Sequence, residues 1–176
     1  MAKSLTAKSP AAPPRPSATE QDAGLFLDNQ LCFALYAASL AMTKVYRPLL
    51  EPLGLTYPQY IVMLALWEHG ELSAGGLGER VALDSGTLVP LIRKLKTLGL
   101  VERQRSAKDD RSVLISLTPA GAQLRERAHA VPAHIGCAVR YTPEQGQALV
   151  ESLKSLRTAL LGSAQAVVPA TGDARR

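Results

Sequence analysis

The order of elements legible in this sequence predicts a mostly α-helical domain with one small β-hairpin, and three observations carry that reading. Apolar residues recur at spacings of three and four over most of the chain. One short stretch breaks that rhythm with period two, setting Val113, Ile115 and Leu117 against Ser112, Leu114 and Ser116. Between these patterns the charge is concentrated: from Ser85 to Arg111, Arg93, Lys94, Lys96, Arg103, Arg105, Lys108 and Arg111 face only Glu102, Asp109 and Asp110. That +4 is most of the chain's net +5, and a localised basic patch is the footprint expected for a polyanion.

Residues 1–23 hold Pro10, Pro13, Pro14 and Pro16 among small and polar neighbours and read as a disordered tail. Residues 24–163 read as one domain and residues 164–176 as a second, flexible tail. A first helix runs from an N-cap at Asp28 to about Leu50, with Leu31, Leu35, Ala38, Met42 and Val45 on one stripe. Thr56 and Gln59 form a capping box for a second, which carries Ile61, Leu64, Ala65 and Trp67 and stops at Gly70. Ser73 caps a short, Gly-rich third helix, AGGLGERVAL. The fourth, within LDSGTLVPLIRKLKTLG, buries Leu88, Leu91, Ile92 and Leu95 and ends at Gly99. Its start is open between Asp84 and Thr87 as caps, because Pro90 is costly inside a helix and cheap in a first turn.

Two strands follow, LVERQR and SVLISL, joined by the charged SAKDDR. Thr118 and Pro119 begin another helix. Thr142, Pro143 and Gln145 begin the last, whose Leu149, Leu153, Leu156 and Leu160 suit dimerisation. Helix, short helix, basic helix and charged hairpin together describe a winged helix-turn-helix, with N- and C-terminal helices (residues 25–50 and 119–162) forming a dimerisation region around a DNA-binding core at residues 56–118. Ser85 and Thr87 lie where side chains meet base edges or phosphates, and Arg93, Lys94 and Lys96 suit phosphate contacts. A solvated basic helix face is the blander reading, and the strand pair behind it argues against that.

The run LDSGTLVPLIRKLKTLGLVERQRSAKDDRSVLISLTPAG resembles the DNA-binding core of the MarR (multiple antibiotic resistance regulator) family, including a D-x-R wing signature at Asp109 and Arg111 and the following LT-x-x-G. Within that family, LCFALYAAS, KVYRPLL and LGLTYPQY resemble the organic hydroperoxide resistance regulators. The resemblance implies a homodimeric repressor of double-stranded DNA with an inverted-repeat operator, released when an organic hydroperoxide oxidises it. It implies that Cys32 is the reactive thiol, Tyr46 and Tyr57 its hydrogen-bonding partners, Tyr36 a pocket neighbour and Cys137 the resolving thiol. Arg111 becomes the wing residue that enters the minor groove.

The residues themselves leave Cys32 open. It falls in the first turn of its helix, where free amides and the helix dipole favour a thiolate, yet Leu31, Phe33 and Leu35 suit a packing residue. Tyr46, fourteen residues on, returns to nearly the same face but about 21 Å along the axis at 1.5 Å per residue. If the two touch, they come from different chains of a two-fold dimer.

Two further readings compete. One keeps the DNA-binding dimer but makes the switch a non-covalent phenolic or aromatic ligand, with both cysteines inert. The other is a thiol peroxidase, which leaves the basic helix and wing without a purpose, so a non-enzyme is expected. No run approaches the roughly 18 apolar residues of a membrane span, and the N-terminus lacks a signal-peptide core, so the expected location is the cytoplasm. His69, His129 and His134 lack the spacing of a metal site. G-x-x-x-x-G-K-[ST], G-x-G-x-x-G and G-x-S-x-G motifs are absent, so neither metal nor cofactor is expected.

Overall fold

The computed structural model describes residues 23–105 and 113–167. Asp109 and Arg111 lie outside the described residues, as do both expected tails apart from Ala23 and a helical stretch as far as Val167. The elements are α1 (Leu31–Leu50), α2 (Tyr57–His69), β1 (Glu71–Ser73), α3 (Ala74–Val81), α4 (Ser85–Thr97), β2 (Val101–Arg105), β3 (Val113–Leu117), α5 (Pro119–Ala128), α6 (Ala130–Val139) and α7 (Pro143–Val167). Short 3-10 turns at Leu27–Asn29 and Glu51–Leu53 flank α1. This is the mostly helical winged helix-turn-helix that the sequence predicts. Compact contacts divide the chain into two units, Met1–Thr43 and Lys44–Arg176, with the boundary inside α1.

In the first unit, Asp28 is not an N-cap. It lies inside the 3-10 turn Leu27–Asn29, and the helix proper starts at Leu31. The cause is local: Asn29 Nδ2 donates to the Ala23 carbonyl at 2.8 Å, and the Gln30 amide reaches back to Gly24, so the chain folds onto itself before turning helical. Cys32 keeps its first-turn place. On the apolar stripe of α1, Leu31 and Ala38 are exposed and Leu35 and Met42 half-buried, and Tyr36 beside the stripe is exposed, so none of these residues is fully buried.

The second unit is built around α2. Its Gln59, Tyr60, Val62, Met63, Ala65, Leu66 and Trp67 are all buried, which is why it shows no one-sided apolar face. The capping box forms as expected. Gln59 Oε1 accepts from Thr56 N at 2.8 Å and Thr56 Oγ1 at 3.0 Å, which satisfies the one buried polar side chain of the described core. Ser73 caps α3 by accepting from Gly76 N at 3.0 Å.

The sheet has three strands in the order β1-β3-β2, all antiparallel, rather than the two of a lone hairpin. Glu71–Ser73 pairs with Leu114–Ser116, and at three residues it is too short to show a period in the sequence. Ile115 sits between Leu72 and Arg103 and is 1% exposed, so the alternation in SVLISL does mark the core side. The single helix expected after Thr118 is broken at His129 into α5 and α6, because Pro132 has no N–H for the carbonyl of Ala128. Cys137 lies inside α6. The last helix runs on to Val167, beyond the expected end near residue 162, through the helix-favouring SAQAV.

Candidate nucleic-acid interface and thiol sites

Asp84 caps α4. Its Oδ1 accepts from Thr87 N at 2.9 Å and its Oδ2 from Thr87 Oγ1 at 3.0 Å, which holds its carboxyl below the usual aspartate range. Ser85 and Thr87 are thus the first and third residues of the helix, and Pro90 lies inside it, leaving the carbonyl of Gly86 without its helical donor. At the other end Gly99 (φ +70°) closes a Schellman turn, with Leu100 N donating to Leu95 O at 3.0 Å and Gly99 N to Lys96 O at 2.9 Å.

Leu88, Ile92 and Leu95 bury one stripe of α4, and Ser85, Thr87, Arg93, Lys94 and Lys96 are all exposed. Arg93 and Lys94 flank the outer ridge formed by Gly86, Pro90 and Thr97, as 3.6 residues per turn requires. On the Lys96 side a groove of about 250 Å³ separates α4 from the wing, with Val89, Ile92, Val113 and Ile115 as its floor and Arg93, Lys96 and Arg103 as its cations. Arg103 was legible in the charge count alone; its place opposite α4 follows from the β2-β3 register.

The structure brings Tyr46 and Tyr57 together, with ring centroids 4.7 Å apart. It adds Tyr60, 5.8 Å from Tyr46 and itself 6.2 Å from Trp67 in an edge-on arrangement. Burial, reinforced by the neighbouring phenols of Tyr57 and Tyr60, pushes the Tyr46 phenol up to about 12, and burial raises Tyr57 and Tyr60 as well. Cys32 opens α1 and Cys137 lies in the second half of α6; both are free, exposed thiols, and Tyr36 is also exposed.

The LT-x-x-G segment has a structural role that sequence spacing alone did not reveal. Thr118 caps α5, accepting from Gly121 N at 3.0 Å, while its hydroxyl donates to Gly99 O at 2.6 Å. A Cβ on Gly121 would stand 2.0 Å from the Leu100 carbonyl oxygen, so only glycine allows this approach. Gly121 O accepts from Trp67 Nε1 at 2.9 Å. The chain's lone tryptophan was the available signal.

A family model described as transcriptional regulator SarA/Rot matches residues 44–127. The organic hydroperoxide resistance transcriptional regulator of Bacillus subtilis (strain 168) is 49% identical over 134 residues, which cover 76% of this chain and 86% of that one. Among solved structures, reduced AbfR bound to DNA matches with a TM-score of 0.65 and 32% identity, covering 80% of this chain and 99% of that one; AbfR is a protein of Staphylococcus epidermidis. Disulfide-formed AbfR matches with a TM-score of 0.54 and 34% identity, covering 77% and 96%. On this similarity and on its winged-helix architecture, the chain belongs to the MarR family of transcriptional regulators, on the organic hydroperoxide resistance branch.

Proposed function

We propose that this regulator is a homodimeric repressor that binds an inverted-repeat DNA operator and lets go when an organic hydroperoxide oxidises Cys32. One observation carries the DNA reading: α4 buries Leu88, Ile92 and Leu95 and leaves Ser85, Thr87, Arg93, Lys94 and Lys96 exposed beside a wing that adds Arg103. Asp109 and Arg111 lie outside the described residues; the D-x-R signature they share with the family is the basis for giving Arg111 the minor-groove contact. Two-fold symmetry sets the half-sites about one helical turn, or roughly 34–36 Å, apart. The exposed apolar residues Leu31, Tyr36 and Leu40 of α1 and Leu149, Leu153 and Leu160 of α7 suit the dimer seam.

In the redox step the Cys32 thiolate attacks the outer oxygen of the hydroperoxide. An S–O bond forms, the O–O bond breaks and an alcohol leaves after protonation. The Cys137 thiolate then attacks the sulfenic sulfur; the S–S bond forms, the S–O bond breaks, and the oxygen leaves as hydroxide that takes a proton to become water. Two thiols are oxidised and the hydroperoxide is reduced by two electrons. Tyr46 and Tyr57, already paired, stay protonated well above neutral pH and so have phenolic hydrogens to donate to the sulfur of a partner subunit. The existence of a reduced DNA-bound form and a disulfide form of AbfR supports this reading.

A cavity of about 460 Å³ favours a second reading. Tyr60, Trp67, Arg125 and His129 line it beside Glu68, whose carboxylate is already engaged by Arg80 at 2.6 Å, a set suited to a phenolic or aromatic ligand acting without thiol chemistry. DNA retention by wild type and Cys32→Ser decides between them. Under the redox reading an alkyl hydroperoxide releases DNA from wild type only; a variant that still releases it removes Cys32 from the switch.

A further inference from the structure

We infer that Trp67 is a positioning residue that ties the tyrosine pair to the recognition helix, so that a change at Tyr46 and Tyr57 moves α4 and the wing. The inference rests on the redox reading above. Its observation is a continuous set of contacts inside one unit of the chain. Tyr46 and Tyr57 stack at 4.7 Å, Tyr60 lies 5.8 Å from Tyr46, and the Tyr60 ring meets the Trp67 ring edge-on at 6.2 Å. Tyr60 is 2% exposed and Trp67 9%, so both rings are held by protein packing on every side except the one that lines the groove with Arg125 and His129.

From Trp67 the connection becomes directional. The indole N–H donates to Gly121 O at 2.9 Å, in the first turn of α5. Gly121 is in backbone contact with Leu100, and Thr118 N donates to Leu100 O at 3.1 Å. Leu100 N in turn closes the last turn of α4 on Leu95 O, and Gly99 O accepts from Thr118 Oγ1. The start of α5, the end of α4 and the start of β2 therefore share one joint with no slack, and the indole N–H is the side-chain donor that connects it to the aromatic set. A packed joint of this kind passes on small displacements because it cannot absorb them. The contact with Gly121 engages the one polar atom of the side chain and so fixes the orientation of the indole as well as its position.

The test separates the ring from the N–H. Trp67→Phe keeps an aromatic core residue and removes the donor. Reduced variant and wild type should bind operator DNA within about threefold of each other, and mass spectrometry should show equal Cys32 oxidation after an alkyl hydroperoxide. The ratio of oxidised to reduced dissociation constants should then be smaller in the variant by about fivefold or more, the size of a typical coupling between sites. An unchanged ratio at equal thiol oxidation overturns the inference. If Trp67→Phe does not fold, wild type alone decides, since its emission comes from a single tryptophan. Hydroperoxide should change Trp67 emission at the rate at which DNA is released, and not in Cys32→Ser. DNA release with unmoved emission overturns this inference but leaves the redox reading standing; a wild type that keeps its DNA after oxidation overturns both.

Discussion

Gly121→Ala tests the joint between α5 and the recognition helix most sharply. The added methyl would lie 2.0 Å from Leu100 O, 2.9 Å from Leu100 C and 3.3 Å from Leu100 Cα. All three are backbone atoms, so no side chain can swing aside. Restoring a tolerated contact requires α5 to retreat by about 1 Å, which breaks the Thr118 N to Leu100 O bond and the Trp67 Nε1 to Gly121 O bond. Two hydrogen bonds at about 1 kcal/mol each, plus about 1–3 kcal/mol for overpacking, give a loss of about 3–5 kcal/mol, a large share of the roughly 5–15 kcal/mol that holds a domain together. Gly136→Ala is the control. That glycine is exposed inside α6 with nothing within 4 Å of an added Cβ, so alanine should stabilise by about 0.4–1 kcal/mol. Urea denaturation at one fixed protein concentration measures both, and the midpoint for Gly121→Ala should fall by about 2 M. A Gly121→Ala midpoint close to wild type would refute the close-approach argument, and a Gly136→Ala that destabilises would refute the reading of α6.

Asp84→Asn should lower the urea midpoint at pH 7, because the ionised cap bonds Thr87 best. Since the folded-state value lies below the ordinary one, that contribution is present above the unfolded value near 4 and fades as pH falls through the folded one, so the gap between variant and wild type should close in acid. Tyr46, raised to about 12, acts in the opposite range. Its contribution is complete below about pH 10 and is lost as pH rises toward 12, so alkaline unfolding curves should flatten in Tyr46→Phe, and no flattening would contradict the half-buried pair. Arg93→Ala and Lys96→Ala should each reduce the slope of log affinity against log salt by about 1 without changing operator preference, whereas Lys154→Ala in α7 should leave the slope unaltered.

The sequence carried the helix boundaries wherever a cap was made by a side chain near in sequence, as with Thr56 and Gln59, Ser73, and Thr118. It left Asp84 against Thr87 undecided because both lie within reach of the same turn; in the folded chain Asp84 grips Thr87 with both oxygens, and the buried stripe of Leu88, Ile92 and Leu95 carries the helix through Pro90. Asp28 misled because a capping residue type was present without the backbone turn that would use it. β1 was invisible, since a three-residue strand is defined by its partner and not by its own pattern. The basic face of α4 was fully legible, as exposure there follows from the buried stripe. The contact of Trp67 with Gly121 was not, because 54 residues separate donor and acceptor and only the folded chain joins them.

The central claim, that oxidation of Cys32 releases DNA, is tested most directly by fluorescence anisotropy of a labelled operator while reduced protein is titrated with an alkyl hydroperoxide. Anisotropy should fall with a midpoint below one equivalent of hydroperoxide per subunit, recover when a thiol reductant is added, and stay flat throughout the titration of Cys32→Ser. Loss of anisotropy in Cys32→Ser at the same equivalents, or an unmoved wild-type signal with the thiol fully oxidised, would contradict it.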